Sequence, residues 1–296
     1  MKTAFVLCGG ASLGAVQVGM LKAVIENGVR PDLIIGTSVG AINGSWLAGH
    51  PNSPVTELED IWVNLRRAAI FPTEPIRGLV GVMRRRPGVV SSGPLRRLIE
   101  RHTPFEQLQD APTALHVVAT DVLSGGNVRF SSGPAASSIL ASASIPGLLA
   151  PVEIGGRYYM DGAVVNNTPI ADAVDLGADV VWVFPTGYSC ALNATPSGAL
   201  AMALHGFSVL MRQRLQTDLL HSAHHGVTIH VVPTPCPVHT SPIDFSNGRD
   251  LIDRSYEAAK IWIQSNPTFE SDIRRLQEHE RFHASGIETT RRFNDQ

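Results

Sequence analysis

A serine flanked by glycines stands between an apolar run and a helical pattern. The residues Gly36-Thr37-Ser38-Val39-Gly40 fit the G-x-S-x-G pattern of a nucleophile elbow, in which the serine occupies a sharp turn from strand to helix. Glycines are needed because neighbouring Cβ atoms would not fit into such a turn. The amino end of the following helix would point at the hydroxyl and favour negative charge developing there. Ser38 is therefore a candidate nucleophile.

A hydroxyl nucleophile needs a base, and the sequence offers two sources. Asp161 ends a predicted strand, and Gly162 lets the chain turn away so that the carboxylate points into a cleft. The other source is a late histidine, as in the Ser, Asp, His order of α/β-hydrolases. That fold places its elbow after several strands, whereas Ser38 follows the second one, which disfavours this alternative. The histidine candidates are His221, His224, His225, His230 and His239.

The loop Gly9-Gly10-Ala11-Ser12-Leu13-Gly14 can be interpreted in two ways. It approximates the dinucleotide pattern G-x-G-x-x-G, with Ala11 at the middle glycine position. That interpretation needs an acid at the end of the second strand to bind the ribose, but Asp32 lies before that strand. Alternatively, backbone N–H groups at the start of a helix can bind the oxyanion of a tetrahedral intermediate. Adjacent parallel strands would bring this loop close to Ser38.

The elements that would position these residues alternate between strand and helix. Strands are predicted at residues 3–7, 33–35, 115–120, 128–130, 180–184 and 227–232, a hairpin at 152–160, and helices at 13–26, 39–47, 135–143, 197–222 and 247–264. We interpret 13–26 as a helix with one apolar stripe. The helix at 197–222 either binds a partner or packs its apolar face on the sheet, and packing is the favoured interpretation. This alternation indicates an α/β fold with a mostly parallel central sheet covered on both faces.

A chain of 296 residues allows one large domain. We expect a single domain over 1–296, with a core at about 4–185, a cap-like insertion at 51–113 and a C-terminal helical region at 195–296. Between Arg66 and Arg101 the insertion carries nine arginines against two acids, a local net charge of +7. The insertion is either a cap beside the site or a solvated, arginine-rich surface. If it faces the cleft, it would favour contact with anionic membranes.

Composition disfavours several other functions. A net charge of −2 and a pI near 6.6 give no reason to expect a nucleic-acid partner. Three widely spaced cysteines suit neither a disulfide framework nor a metal site, and no cluster of His, Asp and Glu has ligand spacing, so we expect no metal and no cofactor. No stretch reaches about 18 apolar residues. We therefore expect a cytoplasmic protein, with peripheral membrane contact left open.

Four short blocks, taken together, resemble the patatin-like phospholipase family. They are Gly9-Gly10-x-x-x-Gly14, Gly36-x-Ser38-x-Gly40, Ala143-Ser144-Ile145-Pro146 and Asp161-Gly162-Ala163. Each block alone is common, whereas their order and spacing are specific, and the resemblance covers residues 4 to about 185. It implies a three-layer α/β/α fold with a Ser–Asp dyad and no catalytic histidine. Ser38 would be the nucleophile, Asp161 the base, Gly9, Gly10 and Ala11 the oxyanion hole, and Gly14, Gly36, Gly40 and Gly162 supporting glycines.

The same resemblance implies a lipid or other acyl ester as substrate, of the phospholipid or lysophospholipid type. A catalytically silent scaffold or regulatory protein with the same fold is the alternative. One departure concerns the first block, where family members often have a third glycine and an arginine and this chain has Ala11 and Leu13. Ala11 still supplies an N–H group, so we expect the oxyanion hole to survive unless this residue needs a positive φ.

Overall fold

A computed structural model describes residues 1–70, 88–187, 195–222, 226–236, 238, 240–241, 243–265, 268 and 274. Its strands are β1 Thr3–Leu7, β2 Leu33–Thr37, β3 Gly88–Val90, β4 Ala114–Asp121, β5 Asn127–Phe130, β6 Gly147–Leu149, β7 Val152–Ile154, β8 Arg157–Asp161, β9 Val180–Phe184 and β10 Thr228–Val231. Its α-helices are α1 Gly14–Glu26, α2 Val39–Gly49, α3 Thr56–Asn64, α4 Arg67–Ile70, α5 Gly93–His102, α6 Ala135–Ser142, α7 Ile170–Asp175, α8 Ala199–Ser222 and α9 Gly248–Gln264. The strands and helices predicted from sequence are confirmed to within about two residues at their ends.

The central sheet has the strand order β10-β9-β1-β2-β4-β8-β7, and β5 also pairs with β4. The five strands from β10 to β4 run parallel. Strands β5, β8 and β7 are added antiparallel at one side. The short strands β3 and β6 form a separate parallel pair. The predicted α/β fold with a mostly parallel sheet is confirmed.

Helices cover both faces of this sheet because its strands are apolar on both sides. In β1, Phe5 and Leu7 belong to the core that includes helices α1, α2 and α9. Ala4 and Val6 belong to the core on the other face, which includes helices α7 and α8. Successive side chains of a strand point to opposite faces, so one uninterrupted apolar run supplies both cores.

The register of the parallel strands brings three loops to one edge of the sheet. Leu7 of β1 pairs with Gly36 of β2, and Thr37 pairs with Val118 of β4. Strand β8 runs antiparallel to β4 and places Asp161 opposite Ala119, one residue beyond Val118. The loop after β1, the turn after β2 and the end of β8 therefore meet at this edge.

Helix α1 is buried around most of its circumference, which differs from the single apolar stripe expected from sequence. The additional cover comes from α9, which approaches so closely that a Cβ atom on Gly19 would lie 2.2 Å from the carbonyl oxygen of Ile252. Glu59 of α3 is 6% exposed and forms ion pairs with Lys22 of α1 and Arg249 of α9. The described C-terminal helix is thus part of the core.

Two predictions concern segments that lie only partly within the described residues. In α8, Leu215 and Leu219 reach the core, whereas Met202 and Leu210 are 45% and 68% exposed. Among the side chains of α8 that the structure describes, those that pack as the sequence predicted therefore lie in its C-terminal half. The arginine-rich stretch 66–101 includes residues 71–87, which lie outside the described part, as do Cys190 and most of the tail after residue 265.

Candidate active site

Ser38 occupies the turn between β2 and α2 in a conformation that few residues other than glycine adopt, with φ 57° and ψ −124°. The chain around it is too crowded for side chains. A Cβ on Gly36 would lie 2.5 Å from the Gly40 carbonyl oxygen, and a Cβ on Gly40 would lie 2.1 Å from that of Leu7. Strain of this kind costs about 1–3 kcal/mol and is characteristic of functional turns. The geometry is that of the nucleophile elbow predicted from sequence.

Asp161 lies at the end of β8 and faces Ser38. The Ser38 hydroxyl donates to Asp161 Oδ2 at 2.7 Å, although the two residues are 123 positions apart in sequence. The other carboxylate oxygen, Oδ1, accepts the amide of Ala163 at 2.9 Å. Gly162 is required here because a Cβ atom would lie 2.3 Å from the carbonyl oxygen of Val118. The structure thus brings the two predicted side chains into direct contact.

The backbone of Asp161 is also fixed on both sides. Its amide donates to the Ser144 carbonyl at 2.9 Å, and its carbonyl accepts the Thr120 hydroxyl at 2.8 Å. These bonds fix the backbone from which the carboxylate projects, while the Ala163 amide holds the carboxylate itself. Ser144 belongs to the Ala143–Pro146 block, so this block positions the aspartate through its backbone.

Burial raises the pKa of Asp161 from 3.8 to about 7, even though the hydrogen bonds from Ser38 and Ala163 act to lower it. The side chain is almost fully buried, and loss of solvation penalises its charged form. A carboxyl group with a pKa near neutrality is suited to exchange protons in both directions at physiological pH. Asp161 thus has the electrostatic property of a general base.

The loop after β1 presents its backbone amides differently from one residue to the next. The amide of Gly9 donates to Asn167 Oδ1 at 2.9 Å and is already engaged. Within the described residues, no acceptor binds the amides of Gly10 and Ala11. Gly14 starts α1, and a Cβ there would lie 2.4 Å from a methyl carbon of Val39. Of the three residues expected to form an oxyanion hole, Gly10 and Ala11 keep their donors available.

Ala11 adopts φ 52°, the left-handed conformation that favours glycine. From the sequence, survival of the oxyanion hole depends on whether residue 11, where family members often have glycine, needs a positive φ. The structure shows that it does. Alanine tolerates this conformation at a cost of about 1–2 kcal/mol. The loop retains its fold with Ala11 strained rather than relaxed.

Three further polar side chains contact this site and were missed by sequence reasoning. Ser142 Oγ accepts the amide of Ser38 at 2.8 Å, Asn167 accepts the amide of Gly9, and Thr186 donates to the Gly9 carbonyl at 2.7 Å. Asn167 follows the Asp161 block closely and could have been suspected from its position. Ser142 and Thr186 are isolated hydroxyl residues whose roles depend on tertiary contacts.

An apolar pocket of about 710 Å³, counted with its open mouth, begins at Ser38 and Ala11. It extends along α2 to Trp46, two turns beyond Ser38. The described part of the predicted insertion supplies much of the wall through α3, α4 and α5. Apolar residues on these helices and on α2 line it, including Ile42, Leu58, Trp62, Leu65, Leu95 and Ile99.

The described residues bear on parts of the alternatives raised from sequence. His230 lies on β10, separated from β2 by two strands, and its ring packs 4.6 Å from that of Trp182. The side chains of His221, His224, His225 and His239 lie outside the described part of the chain. Asp32 accepts the amide of Thr3 at the opposite edge of the sheet, so it cannot bind a ribose near the glycine loop. Among the described residues, no group of three His, Cys, Asp or Glu side chains could hold a metal ion.

Comparison with known proteins identifies the family. The sequence model of the patatin-like phospholipases matches residues 5–174. An uncharacterized NTE family protein of Mycobacterium tuberculosis is 30% identical over 180 residues, which cover 60% of this chain and 47% of that protein. Lysophospholipase nte1 of Aspergillus terreus is 27% identical over 191 residues, covering 62% of this chain and 12% of that protein. The chain therefore spans less than half the length of these curated relatives.

Among solved structures, human GIVD cytosolic phospholipase A2 aligns with 95% of this chain and 59% of its own, at 11% identity and a TM-score of 0.44. Helices long and apolar enough to cross a membrane are absent from the part of the chain that the structure describes. Because the family's sequence model matches more than half of its length, this chain belongs to the patatin-like phospholipase family.

Proposed function

We propose that this protein is a serine acyl hydrolase that cleaves carboxylic esters of lipids through a dyad of Ser38 and Asp161. The single observation that carries the proposal is the 2.7 Å hydrogen bond from the Ser38 hydroxyl to the buried Asp161 carboxylate, at the end of an apolar pocket. A hydroxyl becomes an effective nucleophile when an adjacent base accepts its proton. The pocket supplies a place for an acyl chain beside that hydroxyl.

In the first half of the proposed reaction, Asp161 accepts the Ser38 proton while Ser38 Oγ attacks the ester carbonyl carbon. The carbonyl oxygen becomes an oxyanion, which the amides of Gly10 and Ala11 stabilise. A donor of this kind is worth about 3–4 kcal/mol in other enzymes. When the intermediate collapses, the bond to the leaving alcohol breaks and Asp161 returns its proton to that alcohol. The product is an acyl ester of Ser38.

In the second half, Asp161 accepts a proton from water, and the resulting hydroxide attacks the acyl ester. The bond to Ser38 Oγ breaks, Ser38 regains its proton from Asp161, and the free acid leaves. The raised pKa of Asp161 supports both roles because the group must accept and donate a proton in each half.

The apolar pocket favours a substrate with at least one long alkyl chain. Most of its lining residues are aliphatic or aromatic, which suits a fatty acyl group of a phospholipid or lysophospholipid. The name of the Aspergillus terreus relative, a lysophospholipase, agrees with this substrate class. The proposal extends to peripheral contact with anionic membranes through the arginine-rich stretch 66–101. Liposome binding that does not change with anionic lipid content would contradict that extension.

The experiment that tests the dyad compares Ser38→Ala and Asp161→Asn with the wild type on a p-nitrophenyl acyl ester. We expect both variants to lose at least about a thousandfold in kcat, as in other enzymes deprived of a nucleophile or its base. Matched controls are Ser132→Ala and Asp110→Asn, which change exposed residues and should retain wild-type rates. Near-normal rates in either dyad variant would contradict the mechanism.

A silent scaffold with the same fold is the alternative, and a fluorophosphonate separates the two. An active site of the proposed kind forms a covalent adduct on Ser38, which mass spectrometry of the digested protein locates. An unlabelled, correctly folded wild-type protein would favour the scaffold.

A further inference from the structure

The peptide group between Gly9 and Gly10 presents a problem for any oxyanion hole built on this loop. A peptide bond flanked by two glycines can flip at little steric cost, because glycine adopts nearly all backbone conformations. Since the peptide unit is planar and trans, its C=O and N–H point in opposite directions. A flip would therefore replace the Gly10 N–H donor with the Gly9 carbonyl oxygen, which would repel an oxyanion.

Thr186 makes a contact that opposes this flip. Its hydroxyl donates to the Gly9 carbonyl oxygen at 2.7 Å, and the residue is only 6% exposed. Gly10 also lies directly against this side chain, because a Cβ on Gly10 would come within 2.0 Å of Thr186 Oγ1. With the carbonyl held towards Thr186, the N–H of Gly10 must point the other way.

The preceding peptide group, between Cys8 and Gly9, is held at both of its ends. The Cys8 carbonyl accepts the side-chain amide of Gln17 at 2.8 Å, and the Gly9 N–H donates to Asn167 Oδ1 at 2.9 Å. The Cys8–Gly9 peptide is therefore fixed, and the next peptide, between Gly9 and Gly10, is the first that could flip. The side-chain contact that the structure describes for this peptide comes from Thr186.

Thr186 lies after β9, beyond the residues 5–174 that match the family model. We propose that Thr186 is a positioning residue, whose hydroxyl locks the Gly9–Gly10 peptide so that the Gly10 amide faces the oxyanion. This inference rests on the proposed function, because it concerns the same oxyanion hole. Thr186 itself does not touch the substrate and acts through Gly10.

The test compares Thr186→Val, which keeps the shape of the side chain but removes its donor, with Thr186→Ser, which keeps the donor. Loss of one neutral hydrogen bond shifts the flip equilibrium about tenfold, and complete loss of an oxyanion donor lowers kcat by about a hundredfold or more. We expect Thr186→Val to lose about ten- to a hundredfold in kcat with KM changed less than about threefold. Thr186→Ser should stay within about threefold of the wild type in both constants.

Three further measurements separate positioning from a general loss of structure. The rate of fluorophosphonate labelling of Ser38 should fall in parallel with kcat, because the phosphonyl oxygen uses the same amides. The pH profile of kcat/KM should keep its midpoint, since Asp161 does not contact Thr186. The thermal unfolding temperatures of the two variants should differ by no more than the few degrees that one hydrogen bond contributes. If Thr186→Val does not fold, Thr186→Ala supplies the donor-free variant.

Equal activity of Thr186→Val and Thr186→Ser would overturn the inference while leaving the proposed function intact. Equal losses of activity in both variants, accompanied by equal losses of thermal stability, would also overturn it and assign Thr186 a purely structural role. A folded wild-type protein without esterase activity or labelling would instead overturn the proposed function, and this inference with it.

Discussion

Replacing Asp161 by asparagine should abolish activity and make the protein more resistant to unfolding at alkaline pH. Burial raises the pKa of Asp161 to about 7, whereas an unfolded chain returns it to about 3.8. Because the folded pKa lies above the unfolded one, the folded protein binds the proton more tightly. The free energy of unfolding therefore falls as the pH rises from about 4 to 7. Asparagine has a similar shape but carries no charge at any of these pH values.

The size of the effect follows from the two pKa values. A difference of about three pKa units, at about 1.4 kcal/mol per unit, corresponds to roughly 4 kcal/mol lost once the pH exceeds 7. Between pH 5 and pH 8.5 the linkage relation gives about 3 kcal/mol of this loss. The stability of Asp161→Asn relative to the wild type should thus increase by about 3 kcal/mol over that interval. Any change in hydrogen bonding to Ser38 or Ala163 adds an offset that does not vary with pH.

Urea unfolding at a series of pH values measures this difference directly. Asp121→Asn is a matched control, since it also changes an aspartate at the end of a buried strand. The Ser124 hydrogen bonds, more than Arg157, lower the pKa of Asp121. That group stays charged above pH 5 in both folded and unfolded chains, so its variant should differ from the wild type by a constant amount. A stability difference for Asp161→Asn that does not change between pH 5 and pH 8.5 would refute the reasoning.

Four other outcomes are expected. The kcat/KM of the wild type should rise about a hundredfold from pH 5 to a plateau above pH 8, with a midpoint near 7 set by Asp161, and a flat profile would exclude Asp161 as the base. Ala11→Gly should raise the free energy of unfolding by about 0.5–1 kcal/mol, because relief of the strain at positive φ outweighs the added entropy of the unfolded chain. Urea titrations measure this change, and a loss of stability would contradict the strain argument. Ile42→Trp should lower kcat/KM for long-chain esters at least about tenfold and leave kcat/KM for the acetate ester unchanged. Ile42 lies one turn after Ser38, so the larger side chain narrows the pocket beyond the first carbons of the acyl chain. Equal losses on both esters would argue against the pocket as the acyl site. Gly19→Ala should cost about 1–3 kcal/mol of stability because its Cβ would meet the α9 backbone. Gly206→Ala is the control, because its Cβ would meet no described atom outside its own helix within 4 Å, and it should cost nothing. Calorimetry showing similar effects would refute the close packing of α1 on α9.

The sequence predicts this fold well where local patterns are strong. The apolar runs of β1 and β2, each ending at glycines, mark both the strands and the loops that follow them. Ser38 and Asp161 were selected by the turn chemistry around them, which is also local. Periodicity could not show which strand β8 pairs with, and that pairing decides the contact, because Asp161 reaches Ser38 only when β8 lies antiparallel beside β4.

Other features depend on tertiary contacts that no local pattern records. The insertion was open to interpretation as a solvated surface, yet its described helices α3 and α5 line the pocket with Leu58, Leu95 and Ile99. Helix α1 is buried on its second side by α9, which is more than 200 positions away in the chain. Thr186 is one hydroxyl residue among many, and only its distance to the Gly9 carbonyl distinguishes it.

The exceptions to ordinary backbone and burial rules concentrate at one place in this protein. Among the described residues, Ser38 and Ala11 are the two non-glycine positions with a positive φ, and both line the same pocket. Asp161, which contacts Ser38, is a nearly fully buried carboxylate without a cationic partner among its bonds. Each feature lowers stability by about 1 kcal/mol or more. Strain and burial of this size persist when the surrounding structure imposes them, and here they coincide with a hydroxyl, a carboxyl group whose pKa is near neutrality and the glycine loop beside them. Their coincidence, more than any single motif, argues that this edge of the sheet is where the chemistry occurs.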